Sequence, residues 1–474
     1  MTEVVLAIDV GTTATKVVAV DRTAGVVASG EHGYPMRTTP SGEATHDPEQ
    51  VWAAASAALR EVAATPGVRV RALALTGAMH TVLGLDSAFR PVTPSLSWAD
   101  NRAAGEASRL RDTPEGRALH RATGTPVHPM SPLVKLAWFA ARGESAARWC
   151  GLKDYVGYRL TGVLATEHSS ASGTGLLRLS TLDWNPDSLA CAGVSASSLP
   201  DLHAPTTAFP ATLDGFTGVP VVLGGGDGPM ANLGVGAVDP GVAAVSLGTS
   251  GALRVVRDRP AVDDDGHVFC YFAAEDLWVL GGAVSNGGVV AQWAADTFGA
   301  DVPTLLEEAA AVPAGARGVT ALPYLLGERA PWWNPAATSA LIGVRREHGR
   351  AEITRALVEG VAQQLALVLD AVRSVSDVTA VRATGGAFRG DLWAPVLASA
   401  LGLPLDLTED SGGSAIGAAL VAWHSLGELP SLKEASHLIP TSTRIHPNNE
   451  DATHYTQARP AIARLHRAIQ DILP

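Results

Sequence analysis

Residues 4–18, VVLAIDVGTTATKVV, and residues 242–256, VAAVSLGTSGALRVV, carry one pattern twice. Each is an apolar, β-branched run, then Gly-Thr-Thr or Gly-Thr-Ser, then a second short apolar run, which reads as strand, turn, strand. Asp9 falls opposite Ser246, Gly11 opposite Gly248, Thr12 opposite Thr249 and Lys16 opposite Leu253, half a chain length apart. A single Gly-Thr turn is equally readable as an ordinary hairpin; a second matched feature decides for a duplicated unit. Residues 47–63, DPEQVWAAASAALREVA, have helical apolar spacing, with Asp47 placed to cap the helix ahead of Pro48. They lead into the strand pattern RALALTGAMH at 71–80. Residues 350–375 form a longer amphipathic helix pattern that leads into VTAVRATGGAFRG at 378–390. Strand–turn–strand, helix, and a strand ending in Thr-Gly thus occur twice in the same order.

Alternating strands and helices in each half predict two α/β domains with mixed sheets and a cleft between them, a favoured place for a ligand. The expected domains are 1–240 and 241–474, joined at the turn Asp239-Pro240-Gly241. The length of 474 residues fits two cores better than one. A net charge of −12 argues against a nucleic-acid partner. No stretch has the length needed to cross a bilayer, and the apolar run interrupted by Asp9 is too short for a secretory signal. Cys150, Cys191 and Cys270 are widely spaced and odd in number, so the expectation is a reduced, cytoplasmic protein without a disulfide framework.

The first turn, Asp9-Val10-Gly11-Thr12-Thr13-Ala14-Thr15-Lys16, has what a phosphate needs. Gly11 lets backbone N–H groups approach closely, Thr12 and Thr13 add hydroxyls, and Lys16 adds a point charge. Asp9, at the strand end, is placed to hold Mg²⁺ through water. The second turn, Ser246-Leu247-Gly248-Thr249-Ser250-Gly251, has neither acid nor lysine and suits the other side of a triphosphate through neutral donors. Neither turn matches the Walker or dinucleotide glycine patterns. Ahead of the second turn lies the strand Val221-Val222-Leu223 running into Gly224-Gly225-Gly226-Asp227-Gly228. Glycines flanking a lone carboxylate would let substrate and phosphate come close, so that Asp227 accepts a hydroxyl proton during phosphoryl transfer. The bland alternative for Asp227 is a helix N-cap.

These residues resemble the FGGY family of carbohydrate kinases, within the actin/hexokinase-like (ribonuclease H-like) superfamily, over nearly the whole chain. Met130-Ser131-Pro132-Leu133-Val134-Lys135-Leu136-Ala137-Trp138-Phe139 resembles the first family signature, departing where Ala140-Ala141 replace a usual polar pair. Ser339–Val344, continuing to Glu352–Glu359, resembles the second, and Gly151–Gly162 is similar to the family's lysine-aspartate-tyrosine helix. The resemblance implies ATP with Mg²⁺, Asp227 as the catalytic base and Asp9 as the metal-linked acid. It puts Gly11, Thr12, Thr13, Lys16, Gly248 and Thr249 in the phosphate loops and Gly385, Gly386, Ala387 and Arg389 in an adenosine loop. Gly390 stands where many members carry an asparagine, which leaves purine selectivity open.

Within the family, Thr76–His80, Trp98–Arg102, Gly124–Met130, Ser285–Gly288 and Gly327–Asn334 look most like the gluconokinase subgroup. The implied reaction is phosphorylation of D-gluconate at its terminal hydroxyl. Another FGGY sugar kinase, xylulokinase first, is the nearest alternative, and an actin-like ATPase without a sugar acceptor the alternative from another class. A carboxylate calls for cations through charge-assisted hydrogen bonds; His80, Arg102, His128, Lys135 and Arg329 are the candidates. Asp100 is a candidate for substrate hydroxyls, Trp98 for an apolar wall, and Met79, beside His80, is expected at the substrate as well, as is Asp227. Several have plainer readings: His80 as a satisfied strand-end histidine, Arg102 pairing only with Asp100, Arg329 with Glu328, and Lys135 holding structure. The expected partner is a small molecule, neither nucleic acid nor membrane, with a homodimer left open.

Overall fold

The computed structural model describes residues 1–408 and 412–472. The first half builds a six-stranded sheet from β1 (Thr2–Val10), β2 (Ala14–Val20), β3 (Val26–Gly33), β4 (Val68–Gly77), β5 (Ala208–Pro210) and β6 (Pro220–Gly226). Their spatial order is β5-β6-β4-β1-β2-β3. β1, β2 and β3 form an antiparallel meander, β4 runs parallel to β1, and β6 parallel to β4. The helix Pro48–Ala63 crosses from β3 to β4, with the Asp47 side chain accepting from Glu49 N at 2.9 Å as its cap. It buries Val51, Ala55, Leu59 and Val62 at i, i+4, i+8 and i+11, the stripe that a sheet-covering helix needs.

The second half repeats the plan with β7 (Val242–Leu247), β8 (Gly251–Arg257), β9 (Phe269–Ala274), β10 (Leu277–Val284), β11 (Ala380–Thr384), β12 (Leu405–Leu407) and β13 (Arg444–Ile445). Their order is β9-β10-β8-β7-β11-β12-β13, and the long helix Arg350–Arg373 makes the crossover to β11, parallel to β7. Asp9 is registered on Thr76 in one half and Ser246 on Thr384 in the other, so the duplication holds at the level of single residues.

The register corrects one expected match. Asp9 pairs with Lys16, whereas Ser246 pairs with Ala252. The second turn is one residue shorter, so the counterpart of Lys16 is Ala252 and not Leu253. Because side chains alternate along a strand, Leu253 goes to the core and Arg254 comes round to the face of Ser246.

Each half lends a helix to the other. Asp227–Gly234, which follows β6, also packs on β8, β9 and β10, and Gly413–Ser425, late in the chain, packs on β1, β4 and β6. The two cross at glycines: a Cβ on Gly417 would stand 2.0 Å from the Met230 carbonyl oxygen, and one on Gly234 1.6 Å from that of Gly413. Residues 78–207 form short helices and ribbons that wall one side of the cleft. Among them, helix Leu152–Thr161 is tied beneath β6 by Lys153, whose ammonium lies 3.1 Å from Glu167 and donates to the Leu223 carbonyl at 3.2 Å. No helix of the described residues is long and apolar enough to cross a membrane.

Candidate active site

Two cavities meet at the Gly248–Thr249 turn. One, of about 350 Å³, is lined by Thr12, His80, Trp98, Asp227, Arg254 and Arg329 among others. The other, of about 890 Å³, is lined by Val289, Leu306, Gly386, Ala387, Arg389 and Gly390 among others, and is mostly apolar.

Asp227 is the first residue of its helix, at the end of β6, where the sheet opens into the first cavity. Its Oδ1 accepts from Met79 N at 3.2 Å and Gly228 N at 2.9 Å. The N-cap position is Gly226, yet Oδ1 still takes the Gly228 N–H of the first turn, so Asp227 serves the helix start and faces the cavity as well. Burial pushes its carboxyl above the ordinary range, while Arg254, the two N–H groups and Arg329 pull the other way. The glycines before it do a different job from the one expected. A Cβ on Gly224, at φ +64°, would stand 1.9 Å from the Leu75 carbonyl oxygen, and one on Gly226 2.6 Å from Met79. These glycines let β6 bulge against β4 and Met79, which aims Asp227; they do not clear space for a ligand.

Of the first turn, Thr12 lines the cavity, and its hydroxyl accepts from the Trp98 indole N–H at 3.0 Å. Gly11, Thr13 and Lys16 lie on the same hairpin beside it. Asp9 accepts from the Ser414 hydroxyl, at the start of the exchanged helix. Burial raises the Asp9 carboxyl to about 6; Ser414 and Lys16 act against this, and the charge of Asp227 adds to it. A hard oxygen donor in that setting fits Mg²⁺, whose charge would offset the repulsion between the two carboxylates. The second turn is backed by Ser285–Gly288: Gly288 N donates to Gly248 O at 2.7 Å and Gly287 N to Thr249 O at 2.9 Å. In the expected adenosine loop, Gly386, Ala387 and Arg389 line the larger cavity, whereas Gly385 packs against Leu247 O behind it.

The expected acceptor-binding residues separate into two groups. Met79, His80 and Trp98 line the first cavity. His80 takes φ +65°, a left-handed backbone that a histidine adopts only when held. Its Nδ1 donates to Gly173 O at 2.7 Å, which leaves Nε2 as an acceptor, and burial with nearby cations holds the ring neutral, at about 3. Lys135, Asp100 and Arg102 are occupied within the protein. The Lys135 ammonium donates to the carbonyls of His80, Ser97 and Met130 at 2.6–2.8 Å. Asp100 accepts from Ala44 N and from the Arg102 guanidinium, and that guanidinium also lies over the Trp138 ring. His128 is buried; its Nδ1 accepts from Met130 N at 3.1 Å, so the unpartnered Nε2 carries the proton.

Arg254 and Tyr271 line the first cavity and Ser414 donates to Asp9, three placements that motif reading missed. Arg254 stood inside the quoted repeat, and only the one-residue shortening of the second turn shows which face it takes.

Residues 4–234 match the N-terminal domain, and residues 243–426 the C-terminal domain, of the FGGY family of carbohydrate kinases. A gluconokinase of Bacillus subtilis (strain 168) is 33% identical over 500 residues, covering 99% of this chain and 97% of that one. The crystal structure of a gluconate kinase from Lactobacillus acidophilus superposes with a TM-score of 0.94 at 32% identity, covering 99% of this chain and 98% of that one. A ligand-bound xylulose kinase from the same organism gives the same TM-score, identity and coverage.

Proposed function

The chain belongs to the FGGY family of carbohydrate kinases, and from that premise we propose that it transfers the γ-phosphoryl group of ATP to the terminal hydroxyl of D-gluconate, giving 6-phosphogluconate and ADP. One observation carries the chemistry: Asp227 shares its cavity with Thr12 and the Gly248–Thr249 turn, so one carboxylate faces both an acceptor hydroxyl and the phosphate loops. Asp227 accepts the hydroxyl proton as the oxygen attacks the phosphorus in line. The N–H groups of Met79 and Gly228 fix its Oδ1, so the other oxygen is left for that proton. The backbone of the two turns, with Thr12 and Lys16, offsets charge on the transferring group. Mg²⁺, held at Asp9, would supply further charge compensation at the phosphates. The larger apolar cavity beyond Thr249 suits the adenosine. Closure of the two halves about the crossed helices would exclude water from the transfer.

The choice of gluconate rests on the full-length likeness to gluconokinases and on a cationic acceptor cavity. A panel of acceptors with coupled detection of ADP tests it. Strong turnover of D-xylulose with none of D-gluconate would replace the acceptor; ATP hydrolysis indifferent to any sugar would replace the reaction.

A further inference from the structure

Among the described residues, the charged groups lining the acceptor cavity are one carboxylate, Asp227, and two guanidiniums, Arg254 and Arg329. Neither arginine is in an ion pair with a described carboxylate. Arg254 donates from Nη1 to Ser246 Oγ at 3.3 Å, a long bond. Arg329 donates from Nη2 to Val284 O at 2.8 Å, and its buried Nε has no partner. Its neighbour Glu328 is occupied elsewhere, by Ser285 N at 2.6 Å, by Asn286 and by the backbone N–H of Arg329 itself. The Arg329 guanidinium lies over the Trp98 ring, 4.9 Å from its centroid, with that ring also in the cavity wall.

A guanidinium has five N–H groups in a planar fork and no acceptor. Two of them facing one cavity repel each other and are half compensated by Asp227, which is already committed to the reacting hydroxyl. The Tyr271 hydroxyl adds another unpartnered polar atom to the same wall. Such a lining is rich in donors and cations. An uncharged sugar brings hydroxyls that donate as often as they accept, whereas a carboxylate only accepts and takes an arginine fork with both oxygens.

We propose that Arg254 and Arg329 form the subsite that reads the acceptor's carboxylate, and that they make this kinase selective for polyhydroxy acids over uncharged sugars. The inference rests on the gluconate reading above. A different role, in which Arg254 serves only to keep Asp227 ionised, would affect every acceptor alike.

The test is steady-state kinetics of the wild type, Arg254→Gln and Arg329→Gln with D-gluconate, with D-glucitol as the uncharged counterpart of equal carbon number, and with D-xylulose. Where D-glucitol turns over too slowly, its inhibition constant against D-gluconate replaces kcat/KM. Each substitution should lower kcat/KM for gluconate about 10- to 100-fold, mainly through KM, as expected for losing a hydrogen bond to a charged partner. The KM values for D-glucitol and ATP should move less than about threefold, and any fall in kcat from Arg254 no longer drawing the Asp227 carboxyl down is shared by all acceptors, so the preference for the acid collapses. Arg329→Lys, which keeps the charge and loses the fork, should regain part of the gluconate affinity, and melting curves show whether each variant is folded. Equal losses on charged and uncharged acceptors, or no loss on gluconate, would overturn the arginine assignment alone. A wild type that uses D-xylulose and not D-gluconate would defeat the proposed function and this inference together.

Discussion

Replacing Lys135 by Met should loosen the acceptor side of the cleft without touching the ATP side. Lys135 is wholly buried, and its Nζ donates to His80 O at 2.8 Å, Ser97 O at 2.6 Å and Met130 O at 2.8 Å. Those carbonyls belong to three separate segments: the turn after β4, the stretch leading to Trp98, and the loop that follows His128. Burial pulls the ammonium down to about 7, but three acceptors call for three N–H groups, and only the protonated amine has three. Methionine fills a similar volume and supplies none of them. Three carbonyls lose charge-assisted bonds, partly offset because no ammonium has to be desolvated; the net loss is about 3–5 kcal/mol, in line with breaking a buried charged network from one side. With an unfolding entropy of about 2.1 cal/mol/K per residue over 474 residues whose two halves share a core, each kcal/mol lowers Tm by about 1 °C, so a fall of about 3–5 °C is expected. His80, no longer held at φ +65°, should relax, and the KM for the acceptor should rise at least about tenfold, with the KM for ATP within about twofold. Differential scanning calorimetry and ADP-coupled kinetics read both. A Tm within about 2 °C of wild type would refute the energetic reasoning, and a large fall in Tm with an unchanged acceptor KM would refute the link to the site.

Asp227→Asn keeps the shape of the side chain and removes the base, so kcat should fall about 10²- to 10⁴-fold while ATP affinity by calorimetry stays within about twofold; near-normal turnover would sink the assigned role. His120 is buried and donates to Val268 O at 2.9 Å, and burial lowers its pKa to about 4. Between about pH 6.5 and 4 the unfolded chain therefore binds more protons at this residue than the folded one, and stability is lost as pH falls through that window, by up to about 3 kcal/mol from His120. His120→Asn should flatten the slope of stability against pH there by close to one proton; an unchanged slope would exclude the residue. Gly417→Ala would place a Cβ 2.0 Å from a backbone oxygen of the partner helix, which cannot swing aside. The crossing must then open, with a loss of at least about 1–3 kcal/mol measured by chemical denaturation; wild-type stability would mean that the two helices do not bear on each other as described.

The duplication was legible because its signals are local: β-branched runs, Gly-Thr turns, and a capped helix with an apolar stripe. The Asp47 cap and the long helix from residue 350 fall where spacing puts them, within two residues at the far end. The placement of Asp227, Thr12 and the Gly248–Thr249 turn around one cavity was legible for the same reason, each sitting where a strand stops. What stayed hidden depends on contacts between distant segments. Lys135 reads as a cation for the substrate until the three carbonyls around it are seen. Asp100 and Arg102 read as ligands until they are found satisfying each other, with Asp100 also accepting from Ala44 N at 3.0 Å. The glycines before Asp227 read as space for a phosphate, yet they are pressed against Leu75 and Met79. In each case residue type was read correctly, and the partner that uses up its hydrogen bonds or its space lay elsewhere in the chain.

The one-residue difference between the two hairpins matters more than its size implies. Had both turns kept the length of the first, Leu253 would take the place of Lys16, and Arg254 would turn away from the cleft. Had both kept the acid of the first, two strand-end carboxylates would face each other across the same phosphates and repel both them and one another. Instead, Ser246 stands where an acid would, and the shortened turn brings Arg254 onto its face, close enough to Asp227 to draw its carboxyl downward. One hairpin thus offers an acid suited to a metal at the end of its first strand, and the other a guanidinium suited to an anion on its second strand. On the reading proposed here, that divergence separates the end of the cleft that handles phosphate from the end that selects the acceptor.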